Sequence, residues 1–235
     1  MRKLLQRWLA PAPRLNAQQR ARLAEWFALP AIDRKIPFEH TRYVVVDVET
    51  TGLNMIADTL ISIGAVAVVN GRIALGDSFS VVLQQQESSD KENILIHGIS
   101  SNAQRDGVDP AEALLGFLEY LGKSQLVAFH VAFDETMIRR AIRQYLGFTF
   151  RHAWLDLAYV MPALNRSLMG SHRVLDDWIG RFNIHIEARH NALADALATA
   201  QLFQIAITQA KSKAIYDFDA LQDVEKTHHW LRDIS

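Results

Sequence analysis

Hydrophobic and polar positions divide the chain into two regimes. Val44, Val45, Val46 and Val48 form a β-branched run after Tyr43, and residues 60–69 (Leu-Ile-Ser-Ile-Gly-Ala-Val-Ala-Val-Val) are apolar almost without interruption. Runs of this length and composition predict buried strands. Asn70-Gly71 predicts a two-residue hairpin, followed by a third strand around residues 77–83. Further along, helical and strand-like spacings alternate. Asp109-Pro110-Ala111-Glu112 reads as an N-cap, a proline at the first helical position and an early acid, which predicts a helix to about Leu121. Residues 125–130 predict a short buried strand, 134–146 a helix stopped by Gly147, and 153–157 a fifth strand. Residues 174–182 and 191–210 predict further helices, with one more near the carboxyl end. Three antiparallel strands and then alternation predict an α/β fold, a mixed five-stranded sheet flanked by helices.

Residues 1–40 have a different character, rich in Arg, Gln and Ala and broken by Pro11, Pro13, Pro30 and Pro37. Asn16 with Gln19 three places later predicts a capped helix to about Phe27. We read 1–40 as an N-terminal helical arm on or beside a main domain of 41–212, with 213–235 as a C-terminal helical tail. Gln6 and Arg7 interrupt the first apolar stretch, which is too short for a secretory signal, so residues 1–10 are expected to form an exposed or partner-binding helix. No apolar run reaches the roughly 18–20 residues that span a bilayer, so no membrane association is expected.

Composition narrows the chemistry. There is no cysteine, which excludes disulfides, thiolate zinc sites and cysteine nucleophiles and fits a cytoplasmic protein. The net charge of −1 is not the footprint of bulk electrostatic binding to duplex DNA. A site that grips only a few terminal phosphates needs no basic surface.

The candidate chemistry begins at the end of the first strand. Asp47 and Glu49 are two residues apart, so both project from one face of the sheet. Read alone, such a pair is a strand end meeting solvent. Behind a buried Val-Val-Val run, however, two adjacent carboxylates repel and lose hydration, and a divalent cation with oxygen preference relieves both costs. The pair continues into Thr50-Thr51-Gly52-Leu53, and Gly52 permits a tight turn and close approach of another chain.

This string, Val46-Asp-Val-Glu-Thr-Thr-Gly-Leu53, resembles the first motif of the DEDDh superfamily of 3′→5′ exonucleases, which includes proofreading subunits of bacterial replicative polymerases. Leu126-Val-Ala-Phe-His-Val-Ala-Phe-Asp134 is similar to the second motif, with Val131 where the family has Asn. His190-Asn-Ala-Leu-Ala-Asp195 matches the third. Five residues on one helix would place His190 and Asp195 about 140° apart. They converge only if His190 precedes the helix and Asp195 lies one turn inside it. Asn191 stands where the sister subclass has tyrosine.

The resemblance covers roughly residues 42–210 and implies a ribonuclease H-like fold. It implies that Asp47, Glu49, Asp134 and Asp195 hold two divalent cations, Mg²⁺ or Mn²⁺, and that His190 is a general base. The expected partner is the 3′ end of a single strand, with DNA favoured, released as 5′-mononucleotides. Trimming of RNA, and a polymerase-associated scaffold docked through the N-terminal arm, are alternatives. Thr50, Thr51, Gly52 and Leu53 are expected to meet the terminal nucleotide. His97 could contact sugar or phosphate, Ile99 a base, and Phe133 a stacked nucleotide. Arg139, Arg140 and Arg143 read as a solvated helix face, and Asp156, Asp176 and Asp177 as caps or surface charges. Gln201-Leu-Phe, a faint clamp-binding pattern, lies within a predicted helix and is discounted.

Overall fold

The computed structural model describes residues 13–168, 172–186 and 189–233. The helix expected over residues 1–10 lies outside them. Strands β1 (Arg42–Thr50), β2 (Leu60–Val69), β3 (Arg72–Val82), β4 (Gln125–Ala128) and β5 (Trp154–Asp156) form one sheet in the order β3-β2-β1-β4-β5. The first three pair antiparallel, and β4 and β5 continue parallel to β1. The expected mixed sheet is therefore present.

Two strand boundaries differ from expectation. β3 begins at Arg72, not near 77. Asn70 and Gly71 both take positive φ (53° and 74°), so the chain reverses at once and Arg72 pairs with Val69. The polar, glycine-bearing stretch Leu75-Gly76-Asp77 sits in a break of the ladder between Ala74 and Ser78, which hides the strand from a periodicity argument. β4 ends at Ala128 because His130 turns into the left-handed region at φ 68° and a helix starts at Val131.

The helices are α1 (Ala17–Ala28), α2 (Lys91–His97), α3 (Ser101–Arg105), α4 (Pro110–Leu121), α5 (Val131–Tyr145), α6 (Leu157–Leu164), α7 (Leu175–Phe182), α8 (Ala192–Lys211) and α9 (Phe218–Asp233). Alternation along β1 sorts the core into two clusters. Val44, Val46 and Val48 face one that holds Leu114, Phe117 and Ile138 of α4 and α5. Tyr43 and Val45 face the other, with Phe203 of α8 and Phe218 of α9. Asp47 and Glu49 continue this second series, so the site lies where the α8 face of the sheet runs out of apolar cover.

The described part of the arm shares the main core. α1 carries the predicted capping box, with Asn16 Oδ1 accepting from Gln19 N at 2.9 Å and Gln19 Oε1 accepting from Asn16 N at 2.9 Å. Its Trp26 is 5% exposed, belongs to the first cluster and donates from Nε1 to Gly122 O at 2.8 Å. Arg22 pairs with Glu119 at 2.6 Å and with Glu112 on α4. Removing a buried Trp costs about 3–5 kcal/mol, so Trp26→Ala should lower the unfolding free energy by that amount, measured by urea denaturation. A change below 1 kcal/mol would mean that α1 does not belong to the cooperative unit.

Candidate active site

The site is assembled from three elements that end at the same edge of the sheet. β1 supplies Asp47 and Glu49. Gly64 on β2 stands directly opposite Asp47. A Cβ at Gly64 would lie 2.2 Å from the carbonyl carbon of Ala192 and 2.2 Å from the nitrogen of Leu193. The first turn of α8 therefore rests on the strand itself, at a distance that only glycine permits. That contact delivers Asp195, the fourth residue of α8, to the acids of β1. Carboxylate oxygens of Asp47, Glu49 and Asp195 all lie within 4.8 Å of one another. Gly64 escaped the motif reading, although an isolated glycine inside an apolar strand is the signal that marks such an approach.

α8 starts as the spacing of His190 and Asp195 requires. Asn191 is its N-cap, with its side chain accepting from Ala194 N at 3.2 Å. His190 precedes the helix at φ 59°, its side chain is exposed, and its backbone N–H donates to Asp195 Oδ2 at 3.0 Å. Asp134 enters from the other side of β1. It is buried in the first turn of α5, and its charge is felt at Asp47.

Electrostatics show what this assembly lacks. Burial, and then the charges of Asp134, Glu49 and Asp195, push the Asp47 carboxyl well above the usual carboxylate range. Burial, with added repulsion from Asp156 and Glu49, does the same to Asp134, despite a hydrogen bond from the Val48 backbone. Burial and Asp195 raise Glu49 to about 7. The opposing charge at these acids is Arg189, which lowers Asp47 and Glu49 and pairs with Asp195 Oδ1, while its Nε reaches Asp176 at 2.8 Å. Asp176 is thus part of the site's charge balance, not only a helix-end acid. Arg189 offsets only part of the repulsion among these acids, since Asp47 and Glu49 stay raised beside it.

The remaining expected contacts divide. Thr51 Oγ1 donates to Asp58 Oδ1 at 2.9 Å, Asp58 Oδ2 accepts from Asn54 N at 2.7 Å, and Thr50 Oγ1 donates to Gly52 O at 2.7 Å. A Cβ on Gly52 would fall 2.6 Å from Asp58 Oδ2, so the close approach expected at this glycine is made by the protein's own side chain. Leu53 stands 87% exposed at the tip of this loop. Arg140 is a correction to the solvated-face reading. It donates to the carbonyls of Asp58 (3.0 Å), Ile56 (2.9 Å) and Met55, and so ties the loop to α5.

His97 also departs from expectation. It is buried, its Nδ1 accepts from Ile99 N at 3.0 Å, and its Nε2 is 3.2 Å from Ser89 Oγ. With Nδ1 accepting, Nε2 carries the proton and donates, and burial lowers the pKa to keep the ring neutral. Neither nitrogen is presented to the cleft. Ile99 is half-buried beside it, and Phe133 is half-buried against the first core cluster. Asp156 is buried and caps α6, so of its two expected roles, cap or surface charge, the cap is the one observed.

The family profile for exonucleases of the RNase T type matches residues 44–203, which include all four acids and His190. The chain belongs to the exonuclease family. A DNA polymerase III of the PolC type from Thermotoga petrophila is 28% identical over 191 residues, which cover 81% of this chain but 14% of that protein. The DNA polymerase III subunit epsilon of Buchnera aphidicola is 27% identical over 197 residues and 80% of each chain. The chain thus spans a small part of the polymerase relative and most of the subunit. In structure it is similar to Escherichia coli exonuclease I in complex with a dT13 oligonucleotide, at a TM-score of 0.61 and 18% identity, over 74% of this chain and 42% of that one. That likeness concerns the fold.

The donor set fits the divalent metals on which the exonuclease family depends. It consists of converging carboxylate oxygens, those of Asp47 and Glu49 raised in pKa by burial and by their neighbours' charges. Among the described residues no helix is long and apolar enough to cross a membrane.

Two measurements check this geometry. Gly64→Ala must displace the first turn of α8, so Mn²⁺ binding by titration calorimetry should weaken at least tenfold. Unchanged affinity would show that the close approach is dispensable. For the charge balance, a carboxyl raised from its ordinary value to about 7 binds its proton more tightly in the folded state. It therefore costs stability as pH rises from about 4.5 to 7. Glu49→Gln removes that cost, so in chelator the variant should lose less thermal stability between pH 5.5 and 8 than wild type. Parallel curves would refute the strain at Glu49.

Proposed function

We propose that this chain is a 3′→5′ exonuclease that removes nucleotides from the 3′ end of single-stranded or frayed DNA. The observation that carries this reading is the convergence of Asp47, Glu49 and Asp195 within 4.8 Å, with Asp134 in electrostatic contact and His190 at the rim. Asp47, Glu49, Asp134 and Asp195 would hold two Mg²⁺ or Mn²⁺ ions. Bound there, such ions supply charge neutralisation at a phosphate and acidify water.

The chain's own residues do the rest. His190 is exposed beside Asp195 and accepts a proton from the attacking water, a task suited to an imidazole at neutral pH. Its backbone N–H on Asp195 Oδ2 holds it at the start of α8. The loop braced by Asp58 and Arg140 presents Thr51 and the exposed Leu53 to the terminal nucleotide, Leu53 against a base. Phosphate and sugar contacts position a strand without specifying sequence, so base preference is slight.

DNA is favoured over RNA because relatives of this chain are DNA polymerase III proteins, a PolC-type polymerase and a subunit epsilon. A polymerase partner accompanies this reading. On the described part of the arm, Phe27 and Leu29 are about half exposed, Phe27 with one side of its ring against Trp26 and Phe148, and such a partner would dock on their exposed surface.

Incubation with a 5′-labelled single strand and Mn²⁺ should give a ladder of shortened products that chelator abolishes. Asp47→Ala should lower the rate at least a thousandfold, and His190→Ala about 10²–10⁴-fold. A ladder that survives Asp47→Ala, or is insensitive to chelator, would end this reading. Matched RNA should be degraded more slowly, and the reverse order would reassign the substrate.

A further inference from the structure

Asp156 belongs to none of the three motifs, yet it is bound into the site's frame by three backbone amides. It ends β5, opposite Ala128 of β4 in the parallel ladder, and is 6% exposed. Its Oδ1 accepts from His130 N and from Ala158 N, each at 2.9 Å, and its Oδ2 accepts from Val131 N at 3.0 Å. Both oxygens are thus spent on backbone amides of two helices. The bond to Ala158 is ordinary capping of α6. The other two are not local, since they cross from β5 to the start of α5.

α5 needs them. Its N-cap is His130, whose side chain makes no capping bond and whose backbone sits at φ 68° and ψ 54°. A non-glycine residue stays in the left-handed region only when its surroundings over-determine it. The first amides of a helix also need acceptors from elsewhere. Asp156 meets both needs with one carboxylate. Asp134 follows Val131 by three residues, on the same side of the first turn. A clamp on the amide of Val131 therefore sets where the carboxylate of Asp134 arrives.

We propose that Asp156 is the positioning residue for Asp134: its buried carboxylate clamps the amides of His130 and Val131, fixes the first turn of α5, and so completes the metal-binding cluster. The inference rests on the metal-site reading above and deepens it. The two carboxylates are near enough for the charge of Asp156 to raise Asp134. The clamp is covered from the far side by α9, which lies beyond the residues matched by the exonuclease family. Glu225 of that helix is pushed up to about 7 by burial, against a hydrogen bond from the Asp156 backbone and with the Asp156 charge adding a smaller rise. The carboxyl-terminal helix thus seals a carboxylate that no solvent then competes for.

The test is Mn²⁺ affinity of the full-length protein by calorimetry, with Asp156→Asn, with wild type, and with Asp109→Asn as a helix-cap control at α4. Asparagine keeps the shape but offers one acceptor oxygen in place of two. Residues that orient metal ligands typically contribute 10–100-fold in affinity. Asp156→Asn should weaken Mn²⁺ binding by that factor, while Asp109→Asn leaves it within twofold. Equal affinity of Asp156→Asn and wild type overturns the clamp and leaves the metal site standing. No Mn²⁺ binding by wild type removes the metal site, and the inference with it. Should Asp156→Asn fail to fold, hydrogen exchange on wild type decides. The amides of His130 and Val131 should exchange as slowly as the interior of α5, and slower with Mn²⁺. Exchange at loop rates overturns the proposal.

Discussion

Like charges gathered at the end of a buried strand set the terms for the rest of this molecule. Asp47 and Glu49 leave the sheet on the face that β1 otherwise buries beneath α8, and Asp195 is pressed against them by a helix that touches the strand backbone at Gly64. Desolvation raises Asp47 and Glu49, and each neighbouring carboxylate adds repulsion. The protein's internal answer is the guanidinium of Arg189, shared between Asp195 and Asp176. Carboxylates held together against their mutual repulsion favour a cation, because the repulsion that a cation relieves becomes affinity for it.

The surrounding architecture holds these acids in place against their repulsion. α8 cannot retreat while Ala192 and Leu193 lie on Gly64 and the inward face of the helix is buried from Ala196 to Ala210. α5 is anchored at its start by Asp156 and further along by Arg140, which grips the loop that follows β1. Thus the helix that carries Asp134 and the loop that carries Leu53 are braced by one another. The residues that do this, the side chains of Asp58, Arg140 and Asp156 and the bare backbone of Gly64, touch the frame of the site, not its mouth.

The terminal elements are integrated unevenly with this frame. α1 adds Trp26 to the first core cluster, and α9 adds Phe218 and Leu221 to the second. Among the described residues of these terminal elements, α9 is the one that reaches behind the site, through Glu225. The exonuclease match stops at residue 203, before α9 begins.

Much of this was legible along the chain because it is written in short-range terms. Period-two alternation set the face of Asp47 and Glu49, Asn70-Gly71 set the hairpin, and Asn191 set the start of α8, hence the separation of His190 from Asp195. The break in β3 was missed because its Leu75-Gly76-Asp77 stretch carries no strand period, although the pairing partner β2 holds the strand together across it. His97 looked available because burial is not a property of a motif. Its nitrogens are taken by Ser89 and by the Ile99 amide only once α2 is packed. Arg189 and Asp156 find their partners at Asp176, His130 and Val131, the last two 25 or more residues away in sequence. Residue identities and local periods determined which acids are available and which way each strand faces. Tertiary structure alone decided which charges meet, because Coulomb energy and hydrogen bonds depend on distance in space, and Gly64 marks a close approach to β2 without saying that α8 is what makes it.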